Sequence, residues 1–206
     1  TEAFAQAVQC LQAGGRVLWV CNVVARAQAV FDQAQEAGLP VAAYHSRFRY
    51  KNRVERHRTV VDAFAAPAGQ GLLAVTTQVA EMSLDLDADL LVTELAPVPA
   101  LIQRLGRLNR RVNEENHGKP RLAMVIRPES DLPYDKEAFA VADEWLDRLS
   151  AAKPPAGLQP AGGGGSEQAV SQRDLADHFL ALAEAKPTRL DWRTAWLDSG
   201  WCAWPQ

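Results

Sequence analysis

The chain has 206 residues, 48% hydrophobic and 23% charged, with 22 lysines and arginines against 25 aspartates and glutamates, for a formal net charge of −3. These proportions describe a soluble globular chain long enough for one full domain and part of another, and no stretch approaches the roughly 18 apolar residues of a membrane span. The near-neutral total argues against a general polyanion binder, yet ten of the 22 basic residues fall in two short pieces, six in 44–58 and four in 104–111.

Residues 2–13 place Phe4, Ala7, Val8 and Leu11 on one helical face, which Gly14 and Gly15 end. The nearly all-apolar run from Arg16 to Cys21 reads as a strand buried on both faces. Asn22 opens a helix to about Ala37, closed by Gly38. Pro40 to Tyr44 predicts a second strand, and Arg53 to Phe64 a helix with Val54, Val61 and Phe64 turned inward. Gly71 to Thr76 and Leu90 to Glu94 are further strands. After a break at Pro97 and Pro99, Leu101 to Leu108 reads as helix and Pro120 to Arg127 as the last strand. Strands and helices alternating with short connections predict an α/β domain over 1–127, a doubly wound, mostly parallel sheet flanked by helices.

Beyond 127 the pattern changes. Residues 128–152 hold one amphipathic helix, Asp135 to Leu149, with Phe139, Ala142, Trp145, Leu146 and Leu149 on a face. Residues 153–166 are proline- and then glycine-rich, a connector too poor in apolar surface to fold. The GGGGS within it looks like an engineered linker, although a natural glycine loop would read the same. Residues 167–206 form a small α-rich segment with Leu175, Phe179 and Leu182 in a stripe and four of the six tryptophans in its last fifteen residues. It is expected to begin an accessory C-terminal region. The N-terminus has no secretory pattern, and Cys10, Cys21 and Cys202 form no CxxC pair. A reducing, cytoplasmic setting without disulfide or zinc is the expectation.

Two segments carry chemistry. In the first, a buried strand runs into Thr77, Gln78, Glu81, Ser83 and Asp85, placing polar groups past a strand's C-terminal end, where α/β sheets bind ligands. In the second, Gln103, Arg107 and Arg110 are spaced by four and three residues, which on a helix puts three long donors on one face. Without an acidic partner on that face they call for an external anion, and a polyphosphate suits their planar geometry. Gly106 allows another backbone to approach. The bland readings are solvated arginines at 104–111, a solvated basic face at 44–58, and for Glu81 a local cap or ion pair. Asp85, Asp87 and Asp89 lack the glycine and distal glutamate of a calcium loop, so no metal site is expected there.

Thr77-Gln78-x-x-Glu81-x-Ser83-Leu84-Asp85, followed eighteen residues after Asp85 by Gln103-Arg-x-Gly-Arg-x-x-Arg110, resembles motifs V and VI of superfamily 2 helicases. With His45-Ser-Arg-Phe48 and Arg53 ahead of them, and TTQVAEMSLDLDAD and LAPVPALIQRLGRLNRR in that order, residues 16–127 resemble the CRISPR-associated helicase–nuclease of type I systems. The resemblance implies the second of two RecA-like lobes, with ATP between the lobes and single-stranded DNA across the top. It implies arginine-finger roles for Arg107 and Arg110, and nucleotide contacts for Gln103, Ser83, Asp85 and Gly106. Asp85 would touch the ribose or brace the arginines. Asn22, His45, Arg47, Arg53, Thr77 and Gln78 would face DNA, and Glu81 would couple DNA to ATP. Val23 departs from the threonine usual after the motif IV asparagine, which puts one hydroxyl contact in doubt.

The sequence has no GxxxxGK[ST] phosphate loop, no DExH-type acid pair and no His-Asp nuclease cluster. By the resemblance those belong to a first RecA-like lobe, which would hold most of the ATP and Mg²⁺, and to an HD-type nuclease domain. This chain alone is expected neither to hydrolyse ATP nor to cut DNA, as a piece of a longer polypeptide. The implied activity is ATP-driven translocation that unwinds and degrades target DNA in type I CRISPR interference, with an RNA-guided surveillance complex as partner. An RNA or repair helicase outside CRISPR defence and a non-catalytic docking module that keeps the fold are the alternatives.

Overall fold

The structure, a computed structural model, describes residues 1–65, 69–82, 85–108, 110 and 121–151, with Leu175 and Asp177. Ser83 and the expected connector at 153–166 lie outside the described residues, as does nearly all of 167–206. In chain order the elements are α1 (Glu2–Gln12), β1 (Arg16–Val20), α2 (Val24–Glu36), β2 (Val41–Tyr44), α3 (Tyr50–Ala65) and β3 (Leu72–Thr76). They continue with α4 (Val79–Met82), β4 (Leu90–Glu94), α5 (Val98–Leu105), β5 (Leu122–Ile126) and α6 (Lys136–Ala151).

The five strands make one sheet in the order β2-β3-β1-β4-β5, every neighbouring pair parallel. The predicted doubly wound α/β sheet is therefore present, and it is parallel throughout. Apolar runs form these strands because both faces of the sheet are covered. Along β1, Val17 and Trp19 join α1 and α2 in one core cluster, while Leu18 and Val20 join Val60 and Phe64 of α3 in the other. At the rim where strands begin, Gly14 adopts φ +78°, and a Cβ there would lie 2.8 Å from the Cα of Gly69. Glycine is required at this point both by the left-handed backbone and by the contact.

Several expectations shift. The N-cap of α2 is Val23, since the side chain of Asn22 is drawn inside. Val54 is 48% exposed, because the stripe of α3 that reaches the sheet consists of Val60 and Phe64, with Val61 packed against them as expected. The helix α5 begins and ends three residues earlier than its spacing suggested. Proline is tolerated in a first helical turn, where its missing N–H has no intrahelical partner to lose, so Pro97 and Pro99 start this helix and Gly106 ends it. Arg107 and Arg110 thus lie beyond the helix, and the shared helical face expected for them with Gln103 does not form.

The helix α6 packs on α5, with Phe139, Ala142, Trp145 and Leu149 against Val98 and Leu101 in a third core cluster. Trp145 is fully buried. Trp145→Ala should cost about 3–5 kcal/mol, read as a lower urea midpoint. One cooperative transition would make α6 a structural part of the lobe, whereas two separate transitions would make it an independent extension.

Candidate nucleotide and nucleic-acid site

Parallel pairing brings three strand ends to one level. Val20 is in register with Thr76 on one side and Thr93 on the other. The residues that follow, Asn22, Thr77 with Gln78, and Glu94 with Leu95, therefore emerge side by side. Into this rim α5 projects Arg104, whose side chain is 0% exposed. Its Nε and Nη2 lie 3.0 and 2.9 Å from the same carboxylate oxygen of Glu81. Its Nη1 donates to Asn22 Oδ1 at 3.1 Å, Thr93 Oγ1 at 3.0 Å and the Glu94 carbonyl at 3.1 Å. Its Nη2 also donates to the Tyr134 hydroxyl at 3.4 Å. A buried guanidinium is tolerable only with its charge balanced and its N–H groups used, and this fork meets both conditions.

Asn22 completes the junction. Its backbone N–H donates to Glu94 Oε2 at 2.6 Å, its Nδ2 to the Leu95 carbonyl at 2.7 Å, and its own carbonyl accepts from Gln78 Nε2 at 2.6 Å. Glu94 is almost fully buried and reaches Arg26 Nε at 3.5 Å. Burial, with the nearby Glu94 carboxylate adding to it, pushes the Cys21 thiol well above its usual range, so this cysteine is an inert core residue.

A second layer joins the 81–89 segment to the turn after α5. Ala88 N–H donates to the Arg107 carbonyl at 2.9 Å, and Arg107 Nη2 donates to the Glu81 carbonyl. Arg107 is buried, and its Nε has no hydrogen-bond partner among the described residues. Burial, then the neighbouring Arg110, lowers its affinity for the proton, while Asp85 and Glu81 pull the other way. Arg110 stands at the rim with Nε 2.9 Å from Asp85 Oδ1, the two side chains 44% and 61% exposed. So open an ion pair contributes at most about 1 kcal/mol and opens easily. Asp87 accepts from Arg110 N–H at 3.0 Å and pairs with Arg121 at 2.8 Å, and Asp89 also meets Arg121, at 3.4 Å. Among the described residues no group of three His, Cys, Asp or Glu side chains is placed to hold a metal ion.

The residues expected to face DNA divide. Arg47 is exposed on the segment after β2, at the same rim, and Arg53 lies on α3. Asn22 and Thr77 are buried, and Gln78, half-buried, holds the Asn22 carbonyl. His45 likewise turns in. Its ring stacks on Phe48 with centroids 4.0 Å apart, and the guanidinium of Arg56 lies 4.2 Å from the Phe48 centroid. Burial, with Arg56 and Arg47 nearby, lowers the His45 pKa, which keeps the imidazole neutral at neutral pH.

Of the expected nucleotide contacts, Gln103 is exposed on α5. Gly106 has φ −65°, and a Cβ there would meet nothing nearer than the Ile102 carbonyl at 3.3 Å, within its own preceding turn. No other backbone approaches it among the described residues. Sequence reasoning passed over Arg104, Glu94 and Tyr134. For Arg104 there was a signal: it follows Leu101 by three residues and precedes Leu105, which puts a charge on the apolar stripe of α5. An arginine on such a stripe must find partners inside.

An all-parallel sheet with helices on both faces, its strand ends joined to a QRxGRxxR turn, defines the second RecA-like lobe of a superfamily 2 helicase. Residues 13–113 match the family described as CRISPR-associated nuclease/helicase Cas3, C-terminal. Those residues thus form a Cas3-like helicase C-terminal lobe. The chain is 43% identical over 99% of its length to the putative CRISPR-associated nuclease/helicase Cas3 of Myxococcus xanthus, of which it spans 25%. The crystal structure of T. fusca Cas3 with AMPPNP superimposes with a TM-score of 0.57 and 29% identity, covering 74% of this chain and 20% of that one. A chain of a CRISPR RNA-guided surveillance complex in its pre-nicking state gives a TM-score of 0.57 and 29% identity over 86% of this chain and 22% of that one. The chain thus spans about a quarter or less of these relatives. No described helix is long and apolar enough to cross a membrane.

Proposed function

We propose that the chain is the second motor lobe of an ATP-dependent single-stranded DNA translocase, which unwinds and degrades target DNA in type I CRISPR interference. The observation that carries this reading is the turn holding Arg107 and Arg110, tied to the 81–88 segment through Glu81, Asp85 and Ala88. Two adjacent arginines, one enclosed with a spare N–H and one at the rim in a pair that opens easily, fit the terminal phosphate of ATP. ATP, when bound, supplies the phosphoryl transfer that drives the motor. Arg107 and Arg110 offset the charge that builds on the transferring group. Asp85 keeps Arg110 at the rim, Gln103 and Gly106 line the approach, and Ser83 adds a hydroxyl on the same segment. The first lobe would hold Mg²⁺ together with most of the nucleotide.

On the DNA side, Arg47 and Arg53 neutralise phosphates. Asn22, Thr77 and Gln78 form the floor beneath the strand. Glu81 links the two sides, since its carboxylate holds Arg104 and its carbonyl holds Arg107. A nuclease domain of the HD type elsewhere in the polypeptide cuts the strand that the motor feeds it. An RNA-guided surveillance complex recruits the enzyme, and the likeness to a chain of such a complex supports this partner. The same reading places the work in the cytoplasm, where the target DNA lies.

The test joins this chain to its upstream lobe and measures ATP hydrolysis with and without single-stranded DNA. Strong stimulation by DNA is expected. Equal stimulation by RNA would favour an RNA helicase, and no turnover with any nucleic acid would favour a docking module. Arg47→Glu should weaken single-stranded DNA binding and lower the slope of log affinity against log salt by about 0.7. Unchanged affinity across a salt series would remove Arg47 from the DNA face.

A further inference from the structure

We infer that Tyr134, in the segment between β5 and α6, is a positioning residue of the motor that fixes α4 relative to the Arg107–Arg110 turn. The inference rests on the motor reading above and extends it to a residue outside the helicase motifs. The Tyr134 hydroxyl meets both sides of the junction. It accepts from Arg104 Nη2 at 3.4 Å and lies beside the side chain of Gln78, whose polar group lowers its pKa. Gln78 immediately precedes α4 and also holds the Asn22 carbonyl. Glu81 within α4 carries the carboxylate on Arg104 and the carbonyl on Arg107.

The ring of Tyr134 is anchored separately. It stands edge-on to Phe139, with centroids 6.1 Å apart and planes at 87°, and Phe139 belongs to the α6 cluster packed on α5. One side chain therefore connects the body of α5 and α6 to the turn that begins α4. Burial raises the pKa of the hydroxyl, so it stays protonated and neutral beside the guanidinium. The other donor groups of Arg104 face Glu81, Asn22, Thr93 and Glu94. Without the hydroxyl, one partner of the Arg104 Nη2 is gone and Gln78 keeps only its bond to Asn22 on this side. The α4 turn, with Gln78 and Glu81 on it, can then rock against the Arg107–Arg110 turn although no motif residue has been changed. Gln78 lies toward the DNA rim and Glu81 holds Arg107, so such rocking weakens the transfer of DNA binding to the nucleotide site.

The experiment uses the complete enzyme with Tyr134→Phe, which keeps the ring and removes only the oxygen. Hydrolysis is measured without DNA and over a single-stranded DNA titration, alongside the thermal midpoint. The positioning role predicts DNA-stimulated turnover lower by about fivefold, with half-saturating DNA, DNA-free turnover and midpoint unchanged. A purely structural role would lower the midpoint and reduce turnover in equal proportion with and without DNA, which would overturn the inference. Stimulated turnover equal to that of the parent enzyme would also overturn it while leaving the motor reading intact. A parent enzyme that DNA does not stimulate would overturn both.

Discussion

Arg107→Ala and Arg110→Ala in the complete enzyme should each lower ATP turnover by about 10³-fold or more while leaving nucleotide affinity largely intact. On the proposed motor reading the affinity survives because a first lobe would hold most of the nucleotide, whereas the arginines would act on charge that appears only in the transition state. The two variants differ in a second measurement. Arg110 is at the surface in an open pair with Asp85, so its loss should leave the unfolding midpoint where it was. Arg107 is buried and holds the Glu81 carbonyl, so its removal should also lower the midpoint. Single-turnover hydrolysis beside equilibrium nucleotide binding separates the effects. Normal turnover in both variants would sink the arginine-finger assignment.

A second large effect, on stability, belongs to Glu81. Glu81→Ala leaves the Arg104 guanidinium buried without its carboxylate, and breaking a buried pair from one side costs about 3–5 kcal/mol. Set against the 5–15 kcal/mol that holds a typical domain together, that is a large share. The expected result is a urea midpoint lowered sharply at unchanged slope. The double variant Glu81→Leu with Arg104→Met should recover much of the loss, because removing both charges leaves neither one stranded. If the single variant unfolded at the parental midpoint, Arg104 would be drawing its compensation from elsewhere, and Glu81 would be only a peripheral partner.

Most of the sheet could be read from the chain because strands covered on both faces are written as unbroken apolar runs. Leu90–Glu94 was placed with its observed bounds for that reason. Val79–Met82 was not, since four residues are too few for a helical period to show. The error at α5 came from treating Pro97 and Pro99 as a break rather than a start, and it carried the false idea of a common face for Gln103, Arg107 and Arg110. The spacing of the motifs found the neighbourhood of the site but not its inside and outside. Whether Asn22 faces solvent depends on Arg104, 82 positions along the chain, and on Leu95, 73 positions along. Separations of that size are decided by strand order, which no local pattern reveals. The burial of His45 was illegible for a similar reason, because it depends on Phe48 folding back over the ring and on Arg56 covering Phe48.

The strand order also sets a timetable for the chain as it leaves the ribosome. β1 is made before the other four strands but lies at the centre of the sheet, with β3 on one side and β4 on the other. It gains its first neighbour only when Leu72–Thr76 has been synthesised and its second only with Leu90–Glu94. Until then the Val-Leu-Trp-Val stretch has no sheet to enter, and apolar segments left waiting in this way invite aggregation. Arg104 arrives later still and closes the junction over strand ends already aligned. Nascent chains halted before residue 104 should therefore be far more sensitive to protease than chains halted after α6.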